Sequence, residues 1–272
     1  MFTAALLAVA LLLLSLSLRY GWWRPTADPR FPRILMYHMI SPRRPGARFN
    51  KLRVSPAMFE RQLRWLHEQG WRSFTVSELI EQGGLLPEKA FAVTFDDGYA
   101  DNLERALPLL RRFNVRATLY LVVERFDRDW SVQRKAHHGG GELRREPKLS
   151  DAQVRELLGS GLFELGAHTL THPDLTRLDA ESCAREISES RRRLEAVFGV
   201  PVKSFAYPFG RYADRHVAQV GQAGFTSAVT TEEGIDDPDA WQPLRLKRVK
   251  IGGRDGWWFF RQRLRAGRRG WR

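Results

Sequence analysis

Two hydrophobic periods alternate along this chain, and they are preceded by a block that has neither. Phe2 to Leu18 carries no charge and is rich in Leu and Ala on every face. Such a block predicts a helix of about 25 Å, near the lower limit for spanning a bilayer. Tyr20, Trp22 and Trp23 follow, as interfacial aromatics would. No Lys or Arg precedes Arg19, whereas Arg19, Arg24, Arg30 and Arg33 come after the block. The expectation is a single N-terminal anchor in a bacterial-type inner membrane, with a cleaved signal peptide as the main alternative, and with the rest of the chain leaning to the cytoplasmic side. Residues 1–23 form this segment, and 24–32, with three prolines, read as a linker.

From residue 33 short apolar runs alternate with helical patterns. "RILMYH" (Arg33 to His38), "AFAVTF" (Ala90 to Phe95), "ATLYLVV" (Ala117 to Val123), "FELGA" (Phe163 to Ala167), "SFAYP", "FTSAVT" and "LKRVKI" (Leu246 to Ile251) read as buried strands, with a shorter one near Trp71 to Phe74. Continuous apolar runs of this length suit parallel strands covered on both faces. Between them, Ser55 and Pro56 open a helix whose Phe59, Leu63 and Leu66 share one face and which Gly70 ends. Ser77 is the expected cap of a second helix. Further helices are expected over Asn102 to Phe113, from Asp151, and over Ala180 to Phe198. The alternation predicts an α/β fold with about seven parallel strands, open or closed into a barrel.

Charge alters the picture more than composition does. The 272 residues carry a net charge of +13, which calls for an acidic partner. One cysteine, Cys183, excludes an intrachain disulfide and reads as a structural thiol.

In parallel α/β folds, reactive groups gather at the carboxyl ends of the strands. Here the strand ends carry His38, then Asp96-Asp97 in "TFDDGY", then His168 and His172 in "HTLTH", then "YPFG". Alone, "DD" before glycine is a common turn, and "HxxxH" a common helix face. After separate buried strands of one fold they become a joint signal. Asp97, His168 and His172 form a divalent-metal set with open positions, the two imidazoles being expected on a single helical turn. Asp96 is then placed to take a proton from an activated water.

"TFDDGY" with "HTLTHP" resembles the polysaccharide deacetylase family, the NodB-homology domain or carbohydrate esterase family four, over roughly residues 31–251. The resemblance implies a distorted (β/α) barrel over residues 33–252 and a divalent ion, zinc, used to remove acetyl groups from glycans. Asp96 would be the general base, and Asp97, His168 and His172 the metal ligands. The third motif of typical members, Arg-x-Pro-Tyr-Gly, reads here Ala206-Tyr207-Pro208-Phe209-Gly210, so the arginine that orients the base is missing. The Phe209 N–H would still face the oxyanion, and Tyr207 and Pro208 would contact substrate. The usual late Leu-x-His acid is absent too, and after His172 only His216 remains. "ILMYHMI" and "FAYPFG" are similar to the poly-N-acetylglucosamine deacetylase subgroup, in which the acid follows the first strand, and His38 fits that role.

Two segments stand outside this scheme. Residues 124–148, with His137 and His138, read as a long loop or lid. The tail, residues 253–272, interleaves Arg with Trp257, Trp258, Phe259, Phe260 and Trp271 and suits an anionic membrane surface. Nucleic acid is excluded as a partner, because no recognition motif accompanies the charge. The reading is a metal-dependent N-deacetylase of a glycan or glycolipid. A catalytically impaired glycan-binding module and a deformylase of a lipid-linked amino sugar remain open.

Overall fold

The central strands are buried on both faces, which only a layer of helices outside and packed side chains inside can achieve. The computed structural model describes residues 2–129 and 141–268. Helix α1 (Phe2–Tyr20) precedes β1 (Arg33–Tyr37), the short pair β2 (Met39–Ile40) and β3 (Arg53–Val54), α2 (Pro56–Glu68), β4 (Arg72–Phe74), α3 (Val76–Gln82) and β5 (Ala90–Asp96). Then come α4 (Leu107–Phe113), β6 (Ala117–Leu121), α5 (Asp151–Gly159), β7 (Phe163–Ala167), α6 (Ala180–Phe198), β8 (Ser204–Ala206), α7 (Asp214–Gln222), β9 (Ser227–Glu233), β10 (Leu246–Lys250) and α8 (Trp257–Ala266).

Seven parallel strands form a ring in the order β1-β10-β9-β8-β7-β6-β5. It closes where β5 pairs with β1, from Arg33 opposite Phe91 to Tyr37 opposite Phe95. The alternation read from the sequence therefore resolves as a closed barrel. Strand β4 lies outside the ring. It pairs with Ala90 to Ala92, and β6 takes over from Val93 onward, so the two share one edge of β5.

Every second residue of a strand points inward. Ile34, Ala90, Ala92, Tyr120, Ala206, Val229 and Leu246 fill the interior, while Leu35, Phe91, Val93, Leu119, Leu165 and Phe205 pack outward against the helices. Small residues let one large ring lie across the barrel. A Cβ on Gly166 would stand 2.5 Å from the Tyr120 ring. The Tyr120 hydroxyl meets Ser204 Oγ at 2.7 Å, and Ser227 Oγ donates to the same atom at 2.9 Å. This polar floor lies below the mouth of the barrel.

The local signals mostly operate as read. Ser55 caps α2, its Oγ accepting from Met58 N at 3.2 Å. Helix α3 is capped by Thr75 rather than Ser77: Thr75 Oγ1 accepts from Glu78 N, and the Glu78 carboxylate accepts from Thr75 N. Ser77 instead donates its hydroxyl to Glu164 at 2.8 Å, across to β7. Cys183 is buried, as expected of a structural thiol.

Two expectations about membranes are corrected. The first block is helical, but among the described residues no helix is long and apolar enough to cross a membrane. The uncharged run gives about 25 Å against a hydrocarbon core of about 30 Å, and Thr3, Ser15 and Ser17 interrupt it. The inner-membrane anchor and the location drawn from it are therefore set aside. The basic aromatic stretch folds in its described part as α8. Phe260 and Leu264 of α8 are buried, Trp257 stacks on Phe260, and Arg263 pairs with Glu233 at 2.8 Å. Much of what looked like a headgroup-facing surface is thus spent on packing against the barrel. Trp271 lies outside the described residues.

Part of the long loop is tied down by charge. Arg53, fully buried, meets Glu146 Oε1 at 2.6 Å and Oε2 at 3.1 Å, and Glu142 at 3.4 Å. His137 and His138 lie outside the described residues. Removing one partner of a buried pair strands the other charge. Glu146→Ala is therefore expected to cost about 3–5 kcal/mol in urea unfolding, and Arg53→Met with Glu146→Leu to recover most of it.

Candidate active site

The inward stripes of four strands end in the chemistry. Ile34 and Met36 lead to His38 on β1; Ala92 and Thr94 lead to Asp96 on β5; Gly166 leads to His168 on β7; and Leu246 and Arg248 lead to Lys250 on β10. A period-2 pattern on parallel strands thus brings distant sequence positions to one mouth.

Asp97, His168 and His172 are buried, and one donor atom from each lies within 4.8 Å of the others. Asp97 Oδ1 is 3.5 Å from the Nε2 of both histidines, and the two Nε2 atoms are 3.2 Å apart. His168 Nδ1 is 2.7 Å from the Ala206 carbonyl oxygen. A carbonyl only accepts, so Nδ1 carries the proton, and a neutral His168 ring presents its Nε2 lone pair to Asp97. Burial, helped by the neighbouring His168, pushes His172 down to about 3, so this ring is neutral at pH 7. Burial alone would raise Asp97. The adjacent imidazole groups of His168, His172 and His38 outweigh burial and hold it well below the carboxylate range. A buried anion facing imidazole lone pairs is a donor set that fits a divalent cation.

The segment carrying the histidines is not the helical turn expected from the i, i+4 spacing. It is an irregular loop in which Thr169 and His172 take φ of 66° and 61°. Hydrogen bonds hold this shape. Thr169 Oγ1 accepts from His172 N at 2.9 Å, and Glu186 accepts from Leu170 N and Thr171 N at 2.9 and 3.0 Å. Asp97 and Phe209 also have positive φ, of 75° and 58°. These four residues, three of them lining the cleft, store strain of about 1–3 kcal/mol each.

Asp96 faces a different cation. Arg248 grips it with two parallel hydrogen bonds, Nη1 to Oδ1 at 2.7 Å and Nη2 to Oδ2 at 2.8 Å. Arg248 is itself fully buried; its Nε donates to Thr230 O at 2.8 Å and its Nη1 to Thr94 Oγ1 at 3.0 Å. Burial would raise the Asp96 pKa, but the charge and hydrogen bonds of Arg248 outweigh it and lower the value. Arg248 escaped the sequence reading. Its signal was there: a cation on the inward stripe of a buried strand requires a carboxylate inside the barrel.

The remaining expected residues are placed as follows. His38 is half-buried at the cleft, its carbonyl oxygen accepting from Asn102 Nδ2 at 2.9 Å. Phe209 packs edge-on against His172, with ring centroids 4.5 Å apart. Tyr207 borders the cleft, yet its hydroxyl donates to Leu244 O at 3.0 Å and its ring stacks on Tyr212. Pro208 is buried and is not among the cleft-lining residues. His216 is occupied elsewhere, its Nδ1 accepting from Ala213 N at 2.7 Å at the start of α7.

His38, Asp96, Asp97, His168, His172, Tyr207 and Phe209 line one cleft of about 540 Å³, walled also by Phe49, Leu52 and Leu143. The profile of the polysaccharide deacetylase family matches residues 84–228. YxkH of Bacillus subtilis, assigned to the polysaccharide deacetylases, is 30% identical over 232 residues, covering 84% of this chain and 74% of its own. The chain belongs to the polysaccharide deacetylase family. A poly-β-1,6-N-acetyl-D-glucosamine N-deacetylase of Staphylococcus aureus is 24% identical over 197 residues, covering 69% of this chain. The matched region is 64% of that enzyme's length, less than two thirds. Among solved structures, BC0361, a polysaccharide deacetylase from Bacillus cereus, superposes with a TM-score of 0.68 at 29% identity, covering 83% of this chain and 66% of its own. IcaB from Ammonifex degensii shares the fold, with a TM-score of 0.68 at 24% identity, covering 84% of this chain and 94% of that one.

The turn carrying Phe209 depends on its neighbour. Gly210 has a φ of 64°, and a Cβ there would lie 1.9 Å from Thr231 Oγ1. Gly210→Ala is expected to lower stability by about 2 kcal/mol or more. Adding Thr231→Ala should restore part of that, as read by thermal unfolding.

Proposed function

We propose that this chain is a metal-dependent N-deacetylase of a glycan built on N-acetylated amino sugars. The observation that carries the reading is the pairing of two adjacent carboxylates with two different partners at the floor of one cleft. Asp97 faces His168 and His172, whereas Asp96 is held by Arg248. The S. aureus relative named for poly-β-1,6-N-acetyl-D-glucosamine supports a polymer of this kind as substrate.

Asp97, His168 and His172 would hold the ion, zinc by the chemistry of the donor set. When bound there, a divalent cation supplies Lewis acidity, polarising the acetyl carbonyl and easing loss of a proton from water. The protein's own groups do the rest. Asp96, kept ionised by Arg248, accepts the proton of the attacking water; each of its oxygens keeps a lone pair beyond the one given to the guanidinium. The main-chain N–H of Phe209 donates to the carbonyl oxygen as it gains charge. His38 passes a proton to the departing amine. Arg248 supports a working site over an impaired one, since it brings from β10 a charge that position 206 lacks.

Acetate release from a β-1,6-linked N-acetylglucosamine oligomer tests this directly. EDTA should abolish release and added Zn2+ restore it, and Asp96→Asn should cut kcat by about a thousand-fold. Undiminished turnover in Asp96→Asn would sink the mechanism. For Arg248→Met the expected loss is about a hundred-fold, in kcat rather than KM, with partial rescue by Arg248→Lys. Without the guanidinium, burial dominates and the Asp96 pKa rises, so the acid limb of the pH profile should move to higher pH.

A further inference from the structure

The inward stripe of β10 continues past Arg248. Lys250 lies one rung nearer the mouth, about 7 Å along the strand, half-buried and lining the cleft. Among the described residues no carboxylate stands within ion-pair distance of its ammonium. Burial lowers its pKa first; Glu233 acts against that, and Arg263, Arg248 and Lys51 add to it. A half-buried ammonium without a direct partner is costly to keep, and here it is surrounded by more positive charge than negative.

Two further cations border the same wall. The loop after β10 is pressed onto the turn that carries Lys51. Gly253 N donates to Lys51 O at 2.9 Å, and a Cβ on Gly253 would lie 1.9 Å from Arg53 O. Gly252 N also donates to Asp255 Oδ2 at 3.0 Å, closing the loop on itself. This fixes Arg254 and Lys51 on one rim of the cleft with Lys250. The other charged groups of the wall are spoken for. Arg263 takes Glu233 and Asp255, at 2.8 and 3.2 Å, and Arg211 takes Asp174. Lys51, Lys250 and Arg254 have no ion pair among the described residues.

Building on the deacetylase reading, we propose that Lys250, Lys51 and Arg254 form an anion subsite, and that the substrate is a glycan bearing a carboxylate or phosphate close to the acetamido group that is cleaved. A neutral amino-sugar polymer gains nothing from three unanswered cations. A uronate or phosphate-bearing chain gains charge-assisted hydrogen bonds from each.

The test titrates the 272-residue chain with three tetrasaccharides by calorimetry. One is an unmodified N-acetylglucosamine tetramer, one alternates glucuronate with N-acetylglucosamine, and one is the tetramer with a phosphate monoester. Both anionic probes are expected to bind at least about ten-fold more tightly than the neutral one, and added NaCl should narrow the gap. The stronger of the two anionic probes identifies the group. Lys250→Glu should erase the preference, and Arg254→Glu, a change at an exposed side chain, should reduce it in the same direction. Equal binding of all three probes by the wild type, or a preference undiminished in both variants, overturns the subsite. Acetate release is followed in parallel. Preference without release from any probe upholds the subsite and removes the deacetylase reading; release without preference does the reverse.

Discussion

Asp96 and Asp97 follow one another at the end of a strand buried on both faces, and buried carboxylates cannot remain ionised without partners. A single shared cation could not serve both, because successive residues of a strand point to opposite sides. The chain solves this by ending the strand between them. Asp96 keeps the inward direction of β5 and meets Arg248, which reaches in from β10 on the far side of β1. Asp97 turns with a φ of 75° toward the histidine loop. Closure of the ring between β5 and β1 is what allows this, since only a closed barrel brings β10 within one strand of β5, with β1 and His38 between them.

The loops bear the cost of that arrangement. Asp97, Thr169, His172 and Phe209 all sit in a backbone region that side chains avoid. They stay there because neighbours leave no alternative: Glu186 accepts from two successive amides of the histidine loop, and Thr231 fills the space beside Gly210. Donor directions are thus fixed before any ligand arrives, which spares the site the cost of ordering them later.

Much of this could be read from the residues. The strands were legible because parallel strands covered on both faces leave continuous apolar runs, and the cleft residues because they follow those runs. Less visible were features that rest on position in space. The spacing of His168 and His172 suggested a helical turn, but the loop reaches the same convergence through left-handed residues, whose signature in sequence is faint. Thr75 displaced Ser77 as a cap because Ser77 was claimed by Glu164, a contact between elements far apart in the chain. The apolar N-terminal block was long enough to suggest a span but not to make one, and the Arg-Trp tail was amphipathic in the way a packed helix also is.

Arg248 stands beside Asp96 where the third sequence motif offers no arginine. In the motif that the sequence resembles, an arginine stands on the strand before the Pro-Tyr-Gly turn, where the present chain has Ala206, whose carbonyl oxygen lies 2.7 Å from His168 Nδ1. Here the charge comes from β10, two places further round the ring. In a closed barrel, inward positions at the same height face a common centre whichever strand carries them. A functional group can therefore change its address in the chain while keeping its place in space. For such folds, a motif missing from one segment is no sign of a lost activity until every strand has been read at that height.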